Sequence, residues 1–354
     1  MSTEKDDAID SVLISNEVIR LNDKILDFSD AVSFLKEPNL NKDNVMRMLS
    51  WLIVLKIIPD TSVESSVAVA NMYRAYRMII KKKLEGAEDP LEKINVKESR
   101  VIIADINRSL YWFDSLAKSI NLEEYYTQEV RAHTIRILSL LSLSSKVLSY
   151  LQGFDRYVLV SYLLGLIFIS KSGLPTTVAE AISYFLSLNL LKMSRPDKLL
   201  VDNDKTVQHF QELDSKIAIY APDVYEKMSS NEVSSLLFAL RWQLLIFADE
   251  HDLKGLLYIW DNAIVNRAQY SNYLESLSIS HICQIPEDSQ GNLVEVIQHY
   301  RKWDNVEIVR KADSLLSEIE SSKHYRIGVL NYVLFFLILA VIIYYLYRVF
   351  NLNE

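Results

Sequence analysis

The stretch 101-VIIADINRSLYWF-113 decides how the chain is read. It has the look of a helical segment, with apolar residues at Val101, Ile102, Ala104 and Ile106. Asp105 and Arg108 stand three apart, where one turn of helix brings their side chains together. The neighbouring sequence reads the same way. Only 7 Gly and 7 Pro occur in 354 residues, and no sustained alternation of apolar and polar positions appears, so the chain reads as helices joined by short turns. The expected fold is all-α. With 50% hydrophobic residues the chain can bury a sizeable core as one large domain or two small ones. Arg108 has two readings at this level: an ordinary partner of Asp105, or a cation held out to act on something else.

A net charge of −8 argues against a protein that grips nucleic-acid backbones, which requires a broad basic face. The lone Cys283 excludes an internal disulfide, and the six histidines show no metal-ligand spacing. No metal is expected. No Gly-x-x-x-x-Gly-Lys-Ser/Thr loop occurs, so no nucleotide site of its own is expected either.

Towards the C-terminus, 327-IGVLNYVLFFLILAVIIYYLY-347 runs without a charge. As a helix, these roughly 21 residues extend about 30 Å, the thickness of a bilayer core. Lys323, Arg326 and Arg348 flank the run, and tyrosines cluster near its ends. The reading is a transmembrane tail anchor, with residues 1–326 in the cytosol and 348–354 as a short lumenal tail. The polar, acidic start MSTEKDDAID is not a signal peptide.

In the body, residues 1–40 read as an N-terminal extension. A helix is expected from a cap at Asn41–Asp43 towards Pro59, and another over 65–84. Lys81, Lys82 and Lys83 open a charged connection and read as a solvated helix end, with an acidic-lipid or partner site as the alternative. Further helices are expected near 97–118, 123–148, 154–171, 176–192, 204–220, 231–248, 253–267, 287–300 and 303–320. Turns fall at Gly173-Leu-Pro175 and Arg195-Pro196-Asp197.

A second element gives Arg108 its weight: 150-YLQGFDRYVLVSYLLGLIFI-169. Gly153 beside Gln152 allows a backbone to come close to a ligand, and a long apolar run follows. A second Tyr-x-Gln, Tyr126-Thr127-Gln128, is taken as a mid-helix coincidence because Glu129 rather than glycine follows it. In this order the two elements resemble the TBC-domain family of GTPase-activating proteins for Rab GTPases. Arg47 and Trp51 in 43-DNVMRMLSWLIV-54 resemble the family's early arginine and tryptophan. The stretch 236-LLFALRWQLLIFADEHDLKGLLYIWDNAI-264, with its Trp260-Asp261 pair, resembles the family's C-terminal helices. Together with 282-ICQIPED-288, the tail anchor resembles the subfamily fixed to the endoplasmic reticulum.

The resemblance implies a TBC domain over 41–300, a helical juxtamembrane segment over 301–326 and the span over 327–347. It implies an arginine finger at Arg108 and a glutamine finger at Gln152, offered to a GTP-loaded Rab that carries the GTP and Mg²⁺ itself. Asp105, Tyr150, Gly153 and Arg47 are implied to position the fingers or touch the Rab. The implied activity is acceleration of GTP hydrolysis by a Rab of endoplasmic-reticulum-to-Golgi traffic, on the endoplasmic reticulum membrane, with peroxisomal or other organelle membranes left open. The rival readings are a catalytically silent Rab-binding scaffold and a helical membrane tether in which the motifs are accidental. The chain departs from the family pattern at Ser109, where threonine is common, and at Ser149, where glycine often precedes the tyrosine. Phe154-Asp155-Arg156 replaces the usual Met-Asn-Asp. Trp112, Phe113 and Trp242 read as core.

Overall fold

The computed structural model describes residues 27–59, 65–85, 87, 89–122, 127–144, 150–200, 202–286 and 291–321. In chain order the helices are α1 (Phe28–Lys36), α2 (Asn44–Val54), α3 (Ser65–Lys83), α4 (Val96–Ser119), α5 (Val130–Ser144), α6 (Phe154–Ser172), α7 (Thr176–Ser194), α8 (Asp197–Leu200), α9 (Asn203–Tyr220), α10 (Pro222–Ser230), α11 (Leu236–Leu245), α12 (Leu253–Val265), α13 (Tyr270–Ile282) and α14 (Leu293–His299). A further helix, α15, covers 305–321. Among the described residues no strand forms, so the all-α expectation holds.

The centre is the α6–α7 hairpin, joined through Gly173, whose φ of 68° closes α6. From Phe154 to Ile169 nearly every residue of α6 is buried. A helix apolar on all sides needs neighbours on all sides. α2, α4 and α5 pack on α6, while α3 and α5 flank α7. Gly165 sets the spacing, because a Cβ there would lie 2.8 Å from the Ala179 carbonyl oxygen and 2.9 Å from its Cα. Backbone cannot move aside for a methyl group, so glycine lets the two helices touch.

Local chemistry explains the helix starts. Asp43 caps α2, its carboxylate accepting from the Val45 and Met46 N–H groups at 2.9 Å each. Asn95 does the same for α4 through the Glu98 N–H, and Asp252 for α12 through the Gly255 N–H. The Arg195-Pro196-Asp197 turn is held by Arg195, which donates to both oxygens of Asp197 at 2.9 and 2.8 Å.

The ends of the folded body lie outside the expected boundaries. In α1, Ala31 and Leu35 are fully buried in the common core, so part of residues 1–40 belongs to the domain. In α15, Ile308 and Ala312 are fully buried too. One expected helix, 231–248, is instead a turn over 231–235 followed by the shorter α11. The chain then reverses at Ile246 and Phe247, with φ of 47° and 58°. Two consecutive non-glycine residues in the left-handed region are costly, and burial holds them: both are fully buried, and the Ile246 carbonyl accepts from Trp260 Nε1 at 2.8 Å.

Among the described residues no helix is long and apolar enough to cross a membrane. The expected span 327–347 lies outside the described residues, as do Ser149 and residues 123–126, 145–148 and 287–290 of expected helices.

A buried ion cluster ties the first helices to a late one. Asp261 of α12 accepts from Trp51 Nε1 at 2.7 Å, from Arg47 Nε at 3.1 Å and from Lys42 Nζ at 3.2 Å. Every charged side chain in it is at most 1% exposed.

Candidate functional site

α4 is a long amphipathic helix whose buried stripe includes Ile102, Asp105, Ile106 and Ser109. Arg108 lies off that stripe. Its side chain is 64% exposed, and one Nη2 donates to the buried Asp105 carboxylate, whose side chain is 4% exposed. Arg108 is therefore both a partner of Asp105 and a cation in solvent. A guanidinium carries five N–H groups, so one bond backwards leaves the outer edge free to meet an anion.

Gln152 stands in the two-residue turn that starts α6, and it is exposed. The turn closes on Gly153, whose φ is 104°. Arg108, Gln152 and Gly153 line one cleft of about 630 Å³ with Asp105, although 44 residues separate the arginine from the glutamine. Leu200, Leu240, Leu244 and Leu245 give the cleft an apolar wall.

Tyr150 joins the two elements. Its hydroxyl donates to Asp105 at 2.7 Å and lies 3.5 Å from Asp155, while its backbone N–H donates to Glu98 of α4 at 2.7 Å. Burial first, then the Asp155 and Asp105 carboxylates, push the Tyr150 phenol far above its ordinary pKa. It therefore stays a donor at any physiological pH. Asp105 thus receives Tyr150 on one oxygen and Arg108 on the other.

Arg47 is not brought to this cleft. It is 1% exposed and spends its guanidinium on Asp261 and Asn44. The expectation that it touches a partner gives way to a buried role in joining α2 to α12, because a side chain without exposed surface cannot reach a partner. Gln128 also lies elsewhere, in a turn before α5 rather than inside a helix.

Several residues that the sequence analysis did not offer as site residues complete the site. Ser109 Oγ donates to Asp155, a carboxylate 3% exposed. Arg156 donates to Ser109, to Asp155 at 2.9 Å and to Asp249 at 2.8 Å, and its guanidinium stacks 4.5 Å over the Trp112 ring. The departure at Asp155-Arg156 was the available signal, but its partners lie 47 and 93 residues away. Trp112, read as core, is half-buried and forms part of this arrangement.

The family model of the Rab-GTPase-TBC domain, RabGAP-TBC, matches residues 44–285, more than half of the chain. The crystal structure of the Ypt/Rab-GAP domain of Gyp1p is similar in fold, with a TM-score of 0.60 over 82% of this chain and 93% of that chain, at 13% identity. No curated protein sequence matches. The fold is that of a helical domain acting on small GTPases. The chain belongs to the Rab-GTPase-TBC domain family, which makes a Rab GTPase its class of partner and GTPase activation its class of activity.

Proposed function

We propose that the protein accelerates GTP hydrolysis by a Rab GTPase with two residues supplied in trans, Arg108 and Gln152. The observation that carries this reading is their placement: two exposed polar side chains from distant parts of the chain line one cleft, with Arg108 held by the buried Asp105, which also accepts from Tyr150 two residues before Gln152. Transfer of the γ-phosphoryl group to water needs charge stabilisation on phosphate oxygens and an oriented nucleophile. Arg108 supplies the first, because a planar, permanently charged fork can bridge phosphate oxygens in a fixed geometry. Gln152 supplies the second, because its amide offers a donor and an acceptor together. Asp105 and Tyr150 orient the arginine. The GTP and Mg²⁺ come with the Rab.

An arginine supplied in this way is worth about 10³- to 10⁵-fold in rate, or about 4 to 7 kcal/mol of barrier. The proposed setting is the endoplasmic reticulum membrane and the Rab of endoplasmic-reticulum-to-Golgi traffic, supported by the charge-free run 327–347. Anchoring both partners on one surface raises their effective concentration.

Single-turnover hydrolysis by a panel of GTP-loaded Rabs tests the reading with the full chain in detergent micelles. Acceleration of one Rab is expected, lost by about 10³-fold or more in Arg108→Ala and strongly reduced in Gln152→Ala, with both variants folded. Binding without acceleration would instead identify a Rab-binding scaffold.

A further inference from the structure

We propose that Arg156 is a positioning residue that locks the Gln152 turn to the helix carrying Arg108, an inference that rests on the assignment of those two residues as the catalytic pair. Gln152 sits on two residues of irregular backbone, and Arg108 is fixed through α4. Something must hold the separation between them, since a displacement of about 1 Å in a catalytic group costs on the order of 100-fold in rate.

Arg156 has the contacts for this. It lies in the first turn of α6, directly after the Gln152-Gly153 turn, and reaches three other parts of the site at once. On α4 it donates to Ser109 and stacks on Trp112 at 4.5 Å. On α6 it meets the buried Asp155 at 2.9 Å, and that carboxylate also accepts from Ser109 and lies near the Tyr150 hydroxyl. Beyond α11 it donates to Asp249 at 2.8 Å. The side chain is 18% exposed, although it borders the cleft. A guanidinium used on two edges and covered on one face is committed to the protein, in contrast to that of Arg108.

Arginine is required by the geometry. One planar fork serves two carboxylates and a hydroxyl while its carbon sits 4.5 Å over an indole, an arrangement that a lysine ammonium cannot reproduce. The acid-base pair Asp155-Arg156 is thus self-consistent: the cation neutralises the carboxylate that its neighbour buries.

The test uses the full chain in detergent micelles with Arg156→Ala, Arg156→Lys and Asp249→Asn. The first measurement is amide hydrogen exchange over residues 150–154 in the free protein. Exchange there is expected to speed up by about tenfold or more in Arg156→Ala while the interior of α6 is unchanged, and to speed up less in Asp249→Asn, which weakens one tie by removing its charge. The second is single-turnover hydrolysis with the Rab that the wild type activates. The maximal rate is expected to fall on the order of 10- to 100-fold, with the half-saturating concentration held within about threefold. Arg156→Lys is expected to behave nearly as Arg156→Ala.

Unchanged exchange in the turn would overturn the proposal. So would a raised half-saturating concentration at an unchanged maximal rate, which would make Arg156 a docking contact. If Arg156→Ala exchanges rapidly throughout α6 it has unfolded, and Asp249→Asn alone then decides by the same two readouts. A wild type that accelerates no Rab would overturn the catalytic assignment, and the link to it proposed here, whatever the exchange shows.

Discussion

Gly153 shows how narrow the tolerance at Gln152 is. Its φ of 104° lies where residues with a Cβ are strained, and a Cβ built there would come within 2.5 Å of Leu245 Cδ2. Leucine can swing its terminal methyl away, but the backbone strain remains. Gly153→Ala is expected to destabilise the protein by about 1–3 kcal/mol and to lower the maximal rate of hydrolysis more than the stability loss explains, since the turn either holds its shape and strains or relaxes and moves Gln152. Thermal melting beside single-turnover rates checks this. A variant with a wild-type rate would show that Gln152 does not depend on the turn's conformation. The same scale explains what could be read in advance from the sequence. Arg108 and Gln152 could be singled out because each sits in a short local pattern, and the fold brings both to one cleft. Arg156 could not be, because its partners Ser109 and Asp249 lie 47 and 93 residues away and only the fold brings them together.

At the scale of elements, α13 is the clearest case of a helix hidden in its sequence. YSNYLESLSISHI is rich in serine, which disfavours helix interiors by competing for backbone groups. Here the hydroxyls turn that competition inward: Ser276, Ser278 and Ser280 donate to the carbonyls of Asn272, Leu274 and Ser276 at 2.8 to 2.9 Å. A serine satisfied by its own helix can be buried, so α13 packs without the apolar stripe that periodicity detects. Long helices with marked caps or punctuation, such as α2, α4, α6 and α7, were legible for the opposite reason.

α13 also carries an acid-sensitive pair. His281 Nδ1 lies 2.6 Å from the Leu277 carbonyl, so this nitrogen bears the proton. His281 Nε2 is then a lone pair that accepts from His251 Nε2–H at 2.9 Å. Both rings fold neutral, and Phe247 stacks on His281 at 4.0 Å. Burial holds His281 down at about 3 and, with the neighbouring His281 and Arg301, holds His251 well below its ordinary value. The unfolded chain binds these protons near 6.5. The stability this pair supports is therefore complete above about pH 6.5 and is lost as pH falls towards 3. Gln can donate to Leu277 and accept from His251, so His281→Gln is expected to keep the fold while flattening the melting-temperature profile between about pH 4 and 6.5 by one proton's share, about 1.4 kcal/mol per pH unit. An unchanged profile would place the acid sensitivity elsewhere.

Across the whole molecule, two other buried groups bend that profile in opposite senses. His133 is pushed down to about 4 by burial and by Arg136, and adds to the loss in acid. Glu180 is pushed up to about 7 by burial, against the pull of Arg136 and Tyr76. Its folded form keeps a proton that the unfolded chain releases near 4.5. Its contribution is therefore full below about 4.5 and disappears as pH rises through 7.

The ion cluster at Asp261 acts at this scale as well. Asp261→Ala would leave Lys42 and Arg47 buried without their counter-charge, and a loss of about 3–5 kcal/mol is expected in chemical denaturation. A loss below about 1 kcal/mol would show that water enters to replace the carboxylate. The cluster also sets an order of events during synthesis. Asp261 leaves the ribosome 219 residues after Lys42 and 214 after Arg47, an interval of roughly 10 to 40 seconds at about 5–20 residues per second. Throughout it, two cations that the finished protein keeps dry have no anion to meet, so the N-terminal helices stay hydrated and open to chaperones. Arg108 and Gln152 are thus translated long before the scaffold beneath them can close, and a nascent Rab-GAP domain waits on one late aspartate.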